Sequence, residues 1–235
     1  VLAVQKRLRR DRALRAVILR GEGPSFCAGL DFKAAMGKPW QTGWRATELF
    51  WPWANRFQRW SVGWRTLGVP VIAVMHGNCF GAGLQLALGA DIRICHPQAQ
   101  LSLMEAKWGL VPDMGGVALL RELVALDVAK ELTFTGRVVD AAEGRALGLV
   151  THLSDDPMAH ALRLTAEIAT RSPDSVAAGK FLLQQAWRAG AWAALRAERL
   201  WQRRIIGRAN QRVALSHGQA AAQGKPPKPF KPRRL

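Results

Sequence analysis

The chain has 235 residues, 49% of them hydrophobic, and a formal charge of +17. This length and apolar content suit one full core plus a small appendage, and they exclude a disordered chain. Its three cysteines, Cys27, Cys79 and Cys95, show no CxxC or zinc-like spacing, which excludes a disulfide framework and points to a reducing, cytoplasmic setting.

In chain order, residues 1–13 read as a basic helical lead-in and 15–20 as a buried strand. The opening at Val1 reads as a chain whose upstream strand is missing. A glycine-rich turn follows, Gly21-Glu-Gly-Pro-Ser-Phe-Cys-Ala-Gly-Leu-Asp31. Residues 33–67 read as helix and loop, and hold Trp40, Trp44, Trp51, Trp53, Trp60 and Trp64. A continuous apolar strand at 69–75 is broken by His76-Gly77-Asn78, a short helix covers 81–89, and further strands cover 91–95 and 100–103. Glu105 closes a short apolar stretch, Gly109 and Pro112 break the chain, and Asp113 opens the next helix. Asp140-Ala-Ala-Glu143 has the form of a reciprocal capping box, and residues 150–153 read as a last short strand. Ser172-Pro-Asp starts a long amphipathic helical region that runs to about Leu215.

Strands alternating with helices predict an α/β core over residues 1–170, and 171–235 form a helical region with a basic, proline-rich tail. The apolar run at 69–90 contains His76, Asn78 and Gln85, so it is no membrane span, and no secretory leader is visible. The charge favours polyanions. Its basic residues are spread along the chain and lack the aromatic surface repeat of an RNA-binding sheet, so nucleic acid is not the expected partner. The densest basic stretch, residues 225–234, is interrupted by four prolines; it cannot form regular structure and reads as a solvated tail.

Two junctions and a pair of acids carry the candidate chemistry. At Phe26-Cys-Ala-Gly-Leu-Asp31 the chain leaves a strand through small residues that leave backbone N–H groups unobstructed. At Phe80-Gly-Ala-Gly-Leu-Gln-Leu86 a small-residue turn feeds a helix whose first amides are orphan donors reinforced by the helix dipole. Two such amides converging on one carbonyl oxygen form an oxyanion hole, although the small residues at 81–83 would equally serve close helix–strand packing. Glu105 and Asp113, presented at a break between elements, can face one pocket where poor solvation raises their pKa values toward the range useful for proton transfer. His76 reads as structural, and Asp91 as a local turn acceptor.

These motifs, continued through Val71-Ile-Ala-Val-Met-His-Gly-Asn-Cys-Phe80, Ala90-Asp-Ile-Arg-Ile94 and Met104-Glu…Gly109-Leu-Val-Pro-Asp-Met-Gly-Gly116, resemble the crotonase superfamily, the enoyl-CoA hydratase/isomerase family of CoA-thioester enzymes. The resemblance runs from about residue 14 to 153. It implies a spiral of repeated ββα units with a C-terminal helical region, and assembly as a homotrimer or hexamer. It implies that the amides of Leu30 and Ala82 hold the thioester carbonyl, that Ala28, Asp31, Gly81, Gln85, Trp108 and Pro112 contact substrate, and that the tryptophan-rich insert lines an acyl pocket. The partner is an acyl-CoA thioester, with no metal and no cofactor beyond the CoA moiety of the substrate. The CoA phosphates give the basic surplus a chemical reason.

Hydratases of the family resemble one another in having glutamates at the positions of residues 85 and 105, and this chain has Gln85 with Glu105. A carboxamide can place a water but cannot act as acid or base near neutral pH. The expected reaction is therefore double-bond isomerisation of an enoyl- or dienoyl-CoA by Glu105 and Asp113, with the roles within the pair open. The alternative is hydration of a 2-enoyl-CoA to a 3-hydroxyacyl-CoA; behind it stand acyl-CoA hydrolysis and a non-catalytic CoA- or RNA-binding relative.

Overall fold

The computed structural model describes residues 1–29, 50 and 53–235. Helix α1 (Leu2–Arg10) precedes strand β1 (Val17–Arg20), and α2 (Arg56–Val62) opens with a full Asn55–Gln58 capping box. Strand β2 (Val71–Met75) is apolar and buried at every position, as a strand enclosed within a parallel sheet must be. In the same sheet, β4 (Ile92–Cys95) runs parallel to it with Ile72 opposite Ile92 and Met75 opposite Cys95. Asp91 fixes that register: its carboxylate accepts the Val71 N–H at 2.7 Å, and its N–H donates to the Val71 carbonyl at 2.8 Å. With the short β7 (His152–Leu153) the sheet order is β1-β2-β4-β7.

After β2 and again after β4 the chain crosses to a second sheet. There β3 (Asn78–Phe80) and β5 (Gln100–Ser102) pair in parallel, with Phe80 opposite Ser102, and β6 (Val139–Asp140) lies antiparallel to β5. Helix α3 (Ala82–Leu88) carries the chain from β3 back to β4, and a 3-10 turn, Met104–Trp108, follows β5. One strand in each sheet and then a helix is a ββα step, and its repetition is the spiral expected of this α/β chain. Strand β3 was not predicted. Its three residues lie between Gly77 and Gly81, too few for a period of two to show.

Three further short helices follow: α4 (Gly116–Leu120), α5 (Leu126–Thr135) and α6 (Ala141–Leu147). The predicted capping box at α6 is half formed. Asp140 accepts the Glu143 N–H at 2.8 Å, but Arg137 takes the Glu143 carboxylate at 2.6 and 3.0 Å. A guanidinium fork matches a carboxylate better than one backbone N–H does. Burial keeps the Cys79 thiol protonated and pushes Cys95 up to about 12, so both are inert core residues.

The chain divides into two compact units, one of Val1–Gln5, Ile18–Thr66 and Val71–Ala161, the other of Lys6–Val17, Leu67–Pro70 and Leu162–Leu235. Beyond α7 (Pro157–Ala169), the single amphipathic region predicted to Leu215 is three helices: α8 (Pro173–Ala186), α9 (Ala191–Ile205) and α10 (Ala209–Ala222). Gly190 and Gly207 stand at the breaks; the left-handed φ of +71° at Gly207 ends the helical run. Ser172 caps α8 ahead of Pro173, as its sequence predicted. Among the described residues, no helix is long and apolar enough to cross a membrane.

The reading of residues 225–234 as a solvated tail without regular structure holds for 225–229, which are exposed, but the second unit ties down the end of the segment. Arg233 is buried, and its guanidinium donates to the carbonyls of Asp11, Leu14 and Leu235. Asn210, also buried, pairs with both polar backbone groups of Lys231 at 2.8 and 3.1 Å and donates to Asp174 at 2.9 Å. Asp174 accepts the Arg234 N–H at 2.7 Å. Asn210→Ala should therefore cost about 2 kcal/mol, since it removes a buried side chain that holds the Lys231 backbone and leaves the buried Asp174 carboxylate short of one partner. Urea denaturation reads the loss, and hydrogen exchange should show faster exchange at the Lys231 amide.

Candidate active site

The site grows from the register of the second sheet. Because Phe80 stands opposite Ser102, the residues that follow each strand leave the sheet together, and the Gly81 N–H donates to the Ser102 carbonyl at 2.8 Å. One exit is the turn into α3 and the other is the 3-10 turn that bears Glu105. Cys27 adds a third exit beside β3: it bridges to Cys79, its N–H donates to Asn78, and its carbonyl accepts the Phe80 N–H at 2.9 Å. Ala28 and Gly29 thus emerge at the same sheet edge, with Ala28 exposed and Gly29 at φ +106°. Leu30 and Asp31, which complete that motif, lie outside the described residues.

Of the residues at 81–83, Gly81 makes the tight turn and Gly83 serves the close packing weighed for them. Gly81 has φ +50° and ψ −115°, a conformation that L side chains rarely adopt, and a Cβ there would stand 3.4 Å from Glu105 Oε1. Gly83 serves packing: a Cβ would fall 2.4 Å from the Cys27 carbonyl oxygen. Ala82 lies between them at an ordinary negative φ and is the first residue of α3, so its N–H is one of the donors with no partner inside the helix. The turn that leads into it passes beside the Glu105 carboxylate.

Gln85, expected to touch substrate, is instead fully buried, and its carboxamide ties the site together. Its Oε1 accepts the N–H groups of Met114 and Gly116 at 2.9 and 3.0 Å, while its Nε2 donates to Glu105 Oε1 at 2.6 Å. Glu105 is half-buried, and its other oxygen, Oε2, is buried with no hydrogen-bond partner among the described residues. The glycines after Asp113 make this approach possible. A Cβ on Gly116 would lie 2.6 Å from Gln85 Oε1, and Gly115 adopts φ +83°. That signal was visible in the sequence as the Gly115-Gly116 pair, but nothing local pointed it at residue 85.

The Gln85 carboxamide ties Glu105 at one end to Met114, the neighbour of Asp113, at the other. Asp113 does not open α4, as its sequence suggested; Gly115 is the N-cap, and Asp113 stands two residues earlier, exposed. Partial loss of solvation still pushes its carboxyl above the ordinary aspartate value, with its own backbone N–H pulling part of the way back. Pro112 beside it is half-buried, and Trp108 is exposed at the end of the 3-10 turn. Of the insert tryptophans, Trp64 is in the core, Trp60 meets Phe57 edge-on, and Trp53 is exposed. Trp40, Trp44 and Trp51 lie outside the described residues. His76 lies 3.0 Å from the Gly23 carbonyl, bracing the first glycine turn as a structural residue would.

A ββα spiral that delivers a helix-opening amide and a carboxylate to one sheet edge defines the crotonase class of α/β proteins. Within it, the chain belongs to the enoyl-CoA hydratase/isomerase family, whose pattern matches residues 1–221. It is 31% identical over 185 residues to human mitochondrial methylglutaconyl-CoA hydratase, a match covering 76% of this chain and 52% of that one. Over 200 residues it is 30% identical to the mitochondrial Δ(3,5)-Δ(2,4)-dienoyl-CoA isomerase of Dictyostelium discoideum, covering 79% and 66%. The crystal structure of an enoyl-CoA hydratase from Bacillus anthracis superposes with a TM-score of 0.85 at 26% identity, covering 97% of this chain and 86% of that one. The chain spans about half to two thirds of the length of the relatives it matches by sequence.

Proposed function

We propose that the chain isomerises the double bond of an enoyl- or dienoyl-CoA thioester, with Glu105 as the proton-transferring base. The observation that carries this reading is Glu105 Oε2, a buried carboxylate oxygen with no hydrogen-bond partner among the described residues, beside the turn that leads to Ala82. In the proposed reaction Oε2 takes the proton from the carbon next to the thioester. The C–H electron pair passes into a dienolate, whose oxygen is held by the amides of Ala82 and Leu30. A proton returned to the carbon two positions further along completes the shift, and no water enters the product. Ordinary hydration needs a second acid to address the substrate. Position 85 offers none, because its carboxamide is buried with its oxygen committed to Met114 and Gly116.

Hydration is the second reading, favoured by the likeness to proteins described as hydratases. A panel of 2-enoyl, 3-enoyl and conjugated dienoyl thioesters separates the two: isomerisation predicts turnover of the 3-enoyl or dienoyl compound with product isomeric to substrate. Fast water addition to the 2-enoyl compound would sink the isomerase reading. Assembly as a homotrimer or hexamer belongs to the same proposal, and the exposed Trp192, Leu195 and Leu200 of α9 offer it an apolar face.

Asp113 has a testable signature. Its raised pKa keeps it protonated to higher pH than an ordinary aspartate. As an ionised participant it would give activity that rises with pH through that raised value. As a proton donor it would give activity that falls there. Asp113→Asn should remove that limb from the kcat/KM profile and lower the plateau by about 10–100-fold; an unchanged profile would remove Asp113 from the reaction.

A further inference from the structure

We infer that Gln85 is a positioning residue that dictates which oxygen of Glu105 can move a proton. The inference rests on the isomerase reading for its reaction, but its geometry stands independently of it. Two main-chain donors, the N–H groups of Met114 and Gly116, converge on Gln85 Oε1. A carboxamide has only one oxygen, so these donors decide which way round it sits: oxygen toward residues 114–116, nitrogen toward Glu105. The Nε2–H then meets Glu105 Oε1 at 2.6 Å and holds that oxygen as an acceptor. Only Oε2 is left for the substrate. The same amide fixes the start of α4 and the residue after Asp113, so one side chain sets the placement of both acids.

This assignment separates positioning from simple support of the 113–116 loop. Gln85→Glu keeps an oxygen for both main-chain donors, so a supporting role would survive the change at any pH. A positioning role would not. Repulsion between two carboxylates at this separation makes the second proton harder to remove, and once it is lost at higher pH the variant would present a charged oxygen where Glu105 needs a donor. When one proton is held, the introduced carboxyl would offer an O–H to Glu105 Oε1 and reproduce the amide. Gln85→Met removes the donor and the acceptor together.

The test is the ratio of variant to wild-type kcat against pH, repeated in an Asp113→Asn background so that Asp113 does not titrate. For Gln85→Glu the ratio should be about 0.1 or lower at pH ~8 and should climb about tenfold toward pH ~5.5. For Gln85→Met it should stay low throughout. A flat ratio near one for Gln85→Glu, or wild-type kcat in Gln85→Met, would overturn the inference. Failure of the isomerase reading looks different: the wild type would add water, and Gln85→Met, which supplies no acid, would then decide the role of Gln85, since wild-type hydration in that variant would overturn it. A second measurement needs no turnover. In 15N-labelled wild-type protein the Gln85 side-chain amide protons should exchange at least about 100-fold more slowly than those of exposed glutamines, and exchange at the solvent rate would count against the clamp.

Discussion

Glu105→Gln should lower kcat by about 10³-fold while leaving the fold and the affinity for a CoA thioester nearly unchanged. The size follows from the loss of general base catalysis, worth about 10²–10⁴-fold. Structural integrity follows from the geometry. The substituted carboxamide keeps an oxygen at the Oε1 position, so it can still accept the Gln85 Nε2–H that now measures 2.6 Å. What disappears is the proton-accepting oxygen Oε2, which has no hydrogen-bond partner among the described residues. The checks are steady-state kinetics on the preferred thioester and a direct binding titration with the same compound. A variant retaining more than about a tenth of wild-type kcat would place the base elsewhere, with Asp113 first in line.

The second large effect is expected from a residue that touches no substrate. Gly83→Ala should destabilise the protein by about 2–3 kcal/mol and lower turnover by about 100-fold. On helix propensity alone alanine would help by about 1 kcal/mol. The added Cβ, however, would stand 2.4 Å from the Cys27 carbonyl oxygen and 2.6 Å from the Cys27 Cβ, and backbone offers no rotamer by which to yield. Helix α3 and the turn after Cys27 must then move apart, and the Ala82 amide moves with the helix. Gly179→Ala is the control: a Cβ there meets nothing within 4 Å, so stability should hold or improve. Urea denaturation of both variants, with kcat measured on each, separates the contact from the propensity.

Much of this architecture is legible in the sequence because the residues that create it act locally. The unbroken apolar run before His76 dictates a buried strand. The small residues after Phe80 dictate a turn into a helix, and Ser172 with Pro173 dictates a helix start. Glu105 could be singled out because it closes an apolar stretch just before a chain break. What the sequence hides depends on distant partners. The amide of Gln85 is oriented by N–H groups 29 and 31 residues away, and no local pattern distinguishes a buried clamp from a side chain aimed at substrate. The basic tail misleads for the same reason: Arg233 is buried because the carbonyls of Asp11 and Leu14 lie at the far end of the chain. Asp113 looks like a helix cap because aspartate so often is one, whereas the left-handed Gly115 takes that position here.

The central claim, single-base migration of a double bond at Glu105 without addition of water, is tested most directly by turnover of a 3-enoyl-CoA in 18O-water with mass analysis of the product. The expected result is a 2-enoyl product isobaric with the substrate and free of label, formed by the wild type and not by Glu105→Gln. A product heavier by one labelled water, formed by the wild type as fast as the double bond moves, would contradict it and assign the site to hydration despite Gln85.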